Sequence, residues 1–367
     1  MSLHTAPSPA TDLNAPATIL WSSPDREAAF NNWLTGIAPT HQLARDTVRL
    51  ASADASFRRY FRVDRADAGA GSCIIMDAPP EREDCAPFMK VATLMADAGL
   101  DVPRMLAWDK TQGFVLLTNL GHQTMMQVIN REDPSANHAL YMQALDALIA
   151  WQEASRPDVL PPYNEALLRR ELELFPDWYL TKHRGVVVDE TMRRTLDDAF
   201  KVIIGQNLAW PSVYVHRDFM PRNLMVPMPG TGLGVLDFQD AVYGPITYDI
   251  ASLMRDAFLS WEEDFVLDIT IRYWEKARKA GLPVGDDFGA FYRGVEWMGL
   301  QRHLKVAGIF ARLTLRDGKP QYLADAPRFI NYIRATASRY RELKPLLRLV
   351  DQVEGTQAAS GFAFGRI

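Results

Sequence analysis

One stretch restricts the fold more than any other: residues 216–223, His-Arg-Asp-Phe-Met-Pro-Arg-Asn, directly after the apolar run 213–215. A second apolar run, residues 233–236, leads into Asp-Phe-Gln-Asp at residues 237–240. Each apolar run predicts a short strand, and each polar stretch predicts the loop that follows it. If the two strands pair with each other, the polar ends of both loops lie side by side.

The two loops contain an acid, an amide and a second acid: Asp218, Asn223 and Asp237. Transfer of a phosphoryl group needs a hydroxyl held in line and a divalent cation that neutralises phosphate charge. Asp218 would accept the hydroxyl proton, whereas Asn223 and Asp237 offer the oxygen ligands that Mg²⁺ prefers. His216 is expected to brace its loop through hydrogen bonds. Turn capping explains a single Asp or Asn, but the whole set favours an ATP-dependent phosphotransferase.

The composition of the chain restricts its domain number, its partners and its cellular compartment. The chain has 367 residues, 48% of them hydrophobic, which predicts two or three domains or two lobes around one cleft. A net charge of −5 argues against a nucleic-acid or anionic-membrane partner. Cys73 and Cys85 read as reduced thiols, and there is no secretory signal or apolar run of the ~18 residues that span a membrane. We therefore expect a cytoplasmic enzyme; the oligomeric state is not predicted.

The hydrophobic periodicity changes along the chain. Residues 1–24 are expected to be a disordered or weakly docked tail, 25–118 a small nucleotide-binding lobe, 119–350 a large catalytic lobe, and 351–367 a loosely held tail. The small lobe is predicted to contain a helix at 25–36, a hairpin at 47–63, a strand at 73–76, a helix at 87–98 and strands at 105–108 and 114–117. The large lobe is predicted to contain helices at 137–153, 164–183, 189–208, 248–258, 262–280, 287–313 and 324–340.

This order predicts an α+β fold, with a small antiparallel sheet lobe followed by a larger, mostly helical lobe. Pro176 is expected to kink or end part of its helix. The acidic loops would face the hairpin of residues 47–63 across a cleft, where a nucleotide would bind.

Several segments resemble the aminoglycoside phosphotransferase and choline kinase-like branch of the protein-kinase-like fold, from about residue 45 to about residue 350. Within that branch they resemble bacterial anomeric sugar kinases that act on N-acetylmuramate and N-acetylglucosamine. The matching segments are residues 51–61, 76–81, 169–175, 237–245 and 301–305.

The resemblance implies ATP-dependent phosphorylation of the C1 hydroxyl of these amino sugars, in peptidoglycan recycling, and sugar binding by the large lobe of residues 119–350. It implies that Asp218 is the catalytic base and that Asn223 and Asp237 hold Mg²⁺. Residues 51–59 correspond to the loop that covers the phosphates. Three connector residues correspond to the adenine-binding hinge, where backbone groups would make the contacts: Thr118, Asn119 and Leu120.

Two features depart from the family pattern. The loop of residues 51–56 contains no glycine, although Ser56 and backbone N–H groups could still reach phosphate oxygens. The strand at 73–76 lacks the lysine that usually pairs with phosphate. We expect Arg58 or Arg59 to replace it, and only one of them can point inward, since neighbouring strand residues face opposite sides.

Three residues are candidate sugar contacts. Glu171 lies on a predicted helix, where a solvated carboxylate is the alternative. Asp240 could contact metal or sugar, or cap the turn before residues 243–245. Arg302 could hold the lactyl carboxylate of N-acetylmuramate, because a guanidinium binds carboxylates through two hydrogen bonds, or it could pair within its own lobe.

Two other functions stay open from the sequence. An aminoglycoside or another amino alcohol could be the acceptor, since the chain has acidic residues for a cationic substrate. The missing lysine and the glycine-free loop also allow a nucleotide-binding regulatory module without catalysis. The intact set of Asp218, Asn223 and Asp237 argues against the latter.

Overall fold

The computed structural model describes residues 19–53, 58–67, 69 and 71–356 of the chain. The chain divides into two compact units, which we call the first unit (residues 1–92 and 102–120) and the second unit (residues 93–101 and 121–367). No helix in the described ranges combines the length and the hydropathy needed to cross a membrane.

An antiparallel sheet of five strands forms the centre of the first unit, in the order β1-β2-β3-β5-β4. The strands are β1 (Leu43–Ala53), β2 (Arg59–Arg65), β3 (Ser72–Asp77), β4 (Met105–Asp109) and β5 (Phe114–Thr118). In the described part of this unit two helices begin, α1 (Pro24–His41) and α2 (Ala86–Asp97).

Helix α1 packs on one face of this sheet. Its first turn is capped by Ser23, whose side chain accepts the N–H of Arg26 at 3.2 Å. Phe30 of α1 is buried in one cluster with Phe61 and Val63, alternate residues of β2 that share a face. The alternating apolar pattern of the predicted hairpin therefore marks the face that α1 covers.

The second unit is mostly helical. Its α-helices are α3 (Met125–Val128), α4 (His138–Glu153), α5 (Glu165–Leu172), α6 (Glu190–Leu208), α7 (Thr247–Met254), α8 (Glu263–Lys279), α9 (Phe288–Leu315), α10 (Ala326–Arg339) and α11 (Lys344–Glu354). Its strands are β6 (Ser212–Val215), β7 (Leu224–Met225), β8 (Gly234–Val235) and β9 (Val242–Pro245).

The two apolar runs beside the acidic loops do not pair with each other, which corrects the strand pairing considered from the sequence. β6 pairs with β9, and β8 pairs with β7, both antiparallel. The two loops are nevertheless joined directly, because the backbone N–H of Leu236 donates to the oxygen of Asn223 at 2.9 Å. The convergence of the loops thus depends on β7 and β8, which have only two residues each.

The helix predicted at 164–183 is interrupted. α5 ends at Leu172, and a π-helix follows at Phe175–His183, with Pro176 in its first turn. The long helix α9 crosses the start of this π-helix at Gly308, where a Cβ atom would lie 2.3 Å from the backbone oxygen of Leu174. Glycine is therefore the residue that permits this close approach of two backbones.

Two helices differ from the prediction, one in its length and one in its existence. α1 continues to His41, five residues beyond the predicted end at residue 36. α11 was not predicted, although it buries Leu346, Leu349 and Val350 along one side. The described structure confirms the predicted fold class of an antiparallel sheet followed by a mostly helical remainder.

Candidate active site

The loop of residues 216–223 begins where β6 ends, and its first residue is buried. The ring of His216 donates from Nε2 to the backbone oxygen of Leu236 at 2.9 Å, and its Nδ1 accepts the N–H of Asp218 at 3.2 Å. Burial lowers the pKa of His216 despite the nearby carboxylates of Asp249 and Asp218. A neutral imidazole that joins both loops acts as a brace, as expected from the sequence.

Arg217 has a left-handed backbone, with φ of +78°. Asp249 of α7 accepts the N–H of Arg217 at 3.0 Å and that of His216 at 2.7 Å. On the other side, Nη1 of Arg302 donates to the backbone oxygen of Arg217 at 2.5 Å. This conformation is unfavourable for a residue with a Cβ atom, and these contacts hold it in place.

The carboxylate of Asp218 lies next to this fixed residue and is 40% exposed. Nη2 of Arg302 lies 3.8 Å from its Oδ1. Burial pushes the pKa of Asp218 up, but the charges of Lys305, Arg302 and Arg217 outweigh burial and hold the pKa below its ordinary value. Asp218 is therefore an ionised, accessible carboxylate that can accept a proton.

Asn223 connects the two loops. Its amide nitrogen donates to the backbone oxygen of Asp218 at 2.9 Å and to Oδ2 of Asp237 at 3.3 Å. Asp237 has a left-handed backbone, with φ of +62°, and its Oδ1 accepts from Gln239 at 2.9 Å. The structure thus brings together the three residues of the acid–amide–acid set.

The donor set of Asn223 and Asp237 fits Mg²⁺. The hydrogen bonds of Asn223 use the amide nitrogen, so its carbonyl oxygen is not consumed by them. Magnesium binds through one or two protein oxygens and keeps several waters or phosphate oxygens. Among the described residues there is no cluster of three or more His, Cys, Asp or Glu, so a closed cage for a transition metal is not found there.

Glu171 is buried rather than solvated. Its carboxylate accepts from the hydroxyl of Tyr163 at 2.5 Å and from Gln301 at 2.9 Å. It also forms ion pairs with Arg217 and, at 3.1 Å, with Lys305. Burial raises the pKa of Glu171, but the two cations and hydrogen bonds outweigh burial and lower it to about 2.

The other two candidate sugar contacts differ in exposure. Arg302 is only 3% exposed and lies against the ring of Tyr248, 4.9 Å from its centroid. Asp240 is exposed, and its backbone oxygen accepts from Nη1 of Arg217 at 3.4 Å. Direct sugar contacts by Glu171, Asp240 and Arg302 stay predictions, and the buried positions of Glu171 and Arg302 favour an internal role for those two.

In the first unit, the two adjacent arginines are bound to different carboxylates. Nε of Arg59 donates to the fully buried Asp77 at 3.1 Å, on the sheet face that α1 covers. Arg58 forms an ion pair with Glu83 at 3.1 Å. Because Arg59 is held by a fully buried carboxylate, whereas the partner of Arg58 is partly exposed, Arg58 is the better candidate for a nucleotide contact.

The remaining nucleotide-binding candidates lie near the end of the first unit. The Thr118 hydroxyl accepts the N–H of Arg104 at 2.9 Å, and the Asn119 side chain donates to Ser72 at 2.9 Å. The division between the units falls directly after Leu120. Ser56 lies outside the described residues.

Sequence reasoning missed several residues that fix the site. Asp249 is fully buried in α7, and burial raises its pKa to about 6. Tyr163 and Tyr248 pack edge to face, 5.2 Å between ring centroids, beside the Glu171 cluster. Asp249 could have been noticed in the sequence, because it is a single acidic residue within the apolar stretch of α7. The two tyrosines cannot be distinguished from ordinary core residues by sequence.

Comparison with known proteins gives concordant matches. The model of a family described as a phosphotransferase enzyme family matches residues 47–287. An N-acetylmuramate/N-acetylglucosamine kinase from Neisseria meningitidis serogroup B is 46% identical over 341 residues, which are 92% of this chain and 99% of that protein. A protein of the same name from Pseudomonas aeruginosa is 51% identical over 310 residues, 84% of this chain and 89% of that one.

Among solved structures, the ethanolamine kinase of Plasmodium vivax matches with a TM-score of 0.57 at 11% identity. The match covers 91% of this chain and 93% of that one. At this identity the likeness concerns the fold alone, and it confirms the kinase-like fold expected from the sequence. The family match spans more than half of the chain, and the two relatives align along most of it. The chain therefore belongs to the phosphotransferase enzyme family.

Proposed function

We propose that this protein is an ATP-dependent kinase that phosphorylates the anomeric C1 hydroxyl of N-acetylmuramate and N-acetylglucosamine. The observation that carries the proposal is the hydrogen bonding of Asn223, which joins the accessible Asp218 to Asp237. The acceptor sugars are taken from the names of relatives at 46% and 51% identity. The C1 position and a place in peptidoglycan recycling are taken from the sequence resemblance.

Asp218 acts as the general base. Its carboxylate is ionised at neutral pH and accessible, so it can accept the proton of a sugar hydroxyl as that oxygen attacks phosphorus. An anomeric hydroxyl is more acidic than an ordinary alcohol, which reduces the work required of the base. His216 stays neutral and holds the loop.

Asn223 and Asp237 would hold Mg²⁺ together with phosphate oxygens of ATP. When bound, the ion neutralises the charge of the transferring phosphoryl group. The left-handed backbone of Asp237 and its bond from Gln239 fix the direction of the carboxylate. The protein's contribution is therefore two oxygen donors from neighbouring loops, held by one amide.

The nucleotide would be held mainly by the first unit. We assign backbone groups of residues 118–120 to the adenine and Arg58 to the phosphates, with Ser56 as a further donor. Arg59 is bound to Asp77 and is assigned to stability. Because this chemistry uses ATP and free amino sugars, we propose that the enzyme works in the cytoplasm.

Incubation of the protein with ATP, Mg²⁺ and a panel of acceptors tests the proposal. The panel contains N-acetylmuramate, N-acetylglucosamine, their 1-O-methyl glycosides and an aminoglycoside, and phosphorus NMR locates the new ester. We expect products from the two free sugars and none from the glycosides, whose C1 oxygen is blocked. Product from the aminoglycoside alone would favour that acceptor class, and no product with any acceptor would favour a non-catalytic module.

A further inference from the structure

The two proposed acceptors differ in one charged group. On the oxygen at C3, N-acetylmuramate carries a lactyl ether that ends in a carboxylate. N-acetylglucosamine has a free hydroxyl at the same position. A cation that the substrate can reach would stabilise this carboxylate in the complex, because a carboxylate that leaves water without a partner is costly. This inference rests on the proposed function.

The cations buried around Asp218 are poorly placed for that task. Lys305 is bound to Glu171 at 3.1 Å and lies 3.3 Å from the hydroxyl of Tyr248. The guanidinium of Arg217 is bound to Glu171, and that of Arg302 is bound to the backbone of residue 217. These side chains hold the loop together and would leave buried groups unpaired if they turned toward a substrate.

Arg222 differs from these cations in exposure and in partners. It lies inside the loop, between Asp218 and Asn223, and its side chain is exposed. None of the described carboxylates forms an ion pair with Arg222, although its charge acts on the buried Asp256 and lowers the pKa of that carboxyl against the larger, opposite effect of burial. Its guanidinium carbon lies 4.6 Å from the ring centroid of Phe258.

Phe258 provides a fixed support for this guanidinium. Its N–H donates to Asp256 at 3.1 Å, and its ring lies 5.6 Å from that of Phe310. Stacking on a ring orients the guanidinium plane but uses none of its N–H donors. Stacking therefore leaves the N–H groups of the Arg222 guanidinium in an arrangement that can bind a carboxylate through two hydrogen bonds.

The turn around Arg222 is short and tied at both ends. The N–H of Asn223 donates to the oxygen of Met220 at 2.8 Å, and the Asn223 side chain holds the oxygen of Asp218 at 2.9 Å. Arg222 therefore starts one residue from a proposed metal ligand and four residues from the proposed base. A sugar whose C1 hydroxyl meets Asp218 would therefore lie next to the turn that carries this long side chain.

We propose that Arg222 receives the lactyl carboxylate of N-acetylmuramate and thereby sets the preference of the enzyme for this sugar over N-acetylglucosamine. The ring of Phe258 supports the guanidinium of Arg222 in this role. The inference assigns a specificity-determining residue within the loop that also carries the base.

The test is the ratio of kcat/KM for N-acetylmuramate to kcat/KM for N-acetylglucosamine, measured with saturating MgATP. For Arg222→Gln we expect this ratio to fall about 10- to 100-fold, as when a charge-assisted hydrogen-bonded pair is lost. Arg222→Lys keeps the charge but not the fork, and should retain part of the ratio. Arg278→Gln is the matched control, because Arg278 also stacks on a ring at 4.6 Å, that of Trp274, and should keep the native ratio.

The possible outcomes distinguish a failure of the Arg222 inference from a failure of the proposed function. An equal loss on both sugars would assign Arg222 to the phosphoryl group or to folding and would overturn this inference alone. An unchanged ratio in Arg222→Gln would overturn it as well. A native enzyme that is inactive on both sugars would overturn the proposed function, and this inference with it.

Discussion

Asp249 holds Arg217 in its left-handed backbone conformation: the carboxylate accepts the N–H of Arg217 at 3.0 Å and the N–H of the preceding residue at 2.7 Å. The left-handed region costs a residue other than glycine roughly 1–3 kcal/mol. Asp218 follows directly, so the direction of its carboxylate depends on a contact made from another element.

Asp249→Asn should therefore lower kcat. The amide keeps one acceptor but places N–H donors against a backbone N–H, and we expect a loss of about 1–3 kcal/mol in unfolding free energy. We expect kcat to fall about 10- to 100-fold, because a displaced base loses alignment with its substrate. Steady-state kinetics and chemical denaturation measure the two effects.

Asp286→Asn is the control for this change, since the Asp286 side chain is 96% exposed. It should leave both quantities near their native values. A normal kcat in Asp249→Asn would mean that the contact of Asp249 with the loop is dispensable for the position of Asp218.

Asp218→Asn should abolish most turnover while nucleotide still binds. The amide cannot accept the hydroxyl proton, and general-base catalysis contributes typically about 10²- to 10⁴-fold. The assigned nucleotide contacts are on other residues, so calorimetry with MgATP should give an affinity close to native. Turnover near the native rate would remove Asp218 from the role of base.

Arg58→Ala and Arg59→Ala should have different effects, because the two side chains have different carboxylate partners. Arg58→Ala should raise the apparent KM for ATP, whereas Arg59→Ala should mainly lower stability. Asp77 is fully buried, and among the described residues Arg26 is the cation that still pairs with it when Arg59 is removed, so we expect a loss of about 1–3 kcal/mol. If both variants keep the native KM for ATP, neither arginine is the cation that pairs with the phosphates.

Much of this site could be predicted from the sequence because its residues are neighbours along the chain. Asp218 and Asn223 belong to one short turn, and Asp237 follows a strand that ends in the same place. The pairing of β6 with β9 could not be predicted, since strands of four residues carry little pattern that selects a partner. Asp249 and Tyr163 reach the loop from distant segments, and only the folded chain shows which groups they hold.

The missed helix α11 has a different cause. Leu346, Leu349 and Val350 have helical spacing, and Pro345 lies in the first turn, where a helix tolerates proline. A local signal was therefore present. By contrast, the buried environment of Glu171 depends on α9, which contributes Gln301 and Lys305 from 130 or more positions away.

Asp256→Asn should change how stability depends on pH. Asp256 is 1% exposed; its Oδ1 accepts the N–H of Phe258 at 3.1 Å, and within the described residues its Oδ2 has no hydrogen-bond partner. Burial raises the pKa of Asp256 from 3.8 to about 6. The folded protein thus binds this proton more tightly than the unfolded chain does.

The sign follows from that difference. Below pH 3.8 the carboxyl is protonated in both states, and between pH 3.8 and about 6 it ionises first in the unfolded chain, so stability falls as the pH rises. The total loss is roughly 3 kcal/mol at about 1.4 kcal/mol per pKa unit. Asp256→Asn should flatten this part of the profile of unfolding free energy against pH, whereas Asp286→Asn should keep the native slope; equal slopes in all three proteins would contradict the assignment.

Gly308→Ala should destabilise the second unit through a backbone clash. A Cβ atom there would lie 2.3 Å from the oxygen of Leu174 and 2.4 Å from its carbonyl carbon, so α9 and the π-helix must move apart. Overpacking of this kind costs about 1–3 kcal/mol. Gly205→Ala in α6 is the matched control, because nothing lies within 4 Å of its Cβ position, and alanine there should raise stability by about 0.5–1 kcal/mol. Thermal and urea denaturation of both variants should therefore give changes of opposite sign, and a neutral or stabilising Gly308→Ala would show that the two helices can separate at no cost.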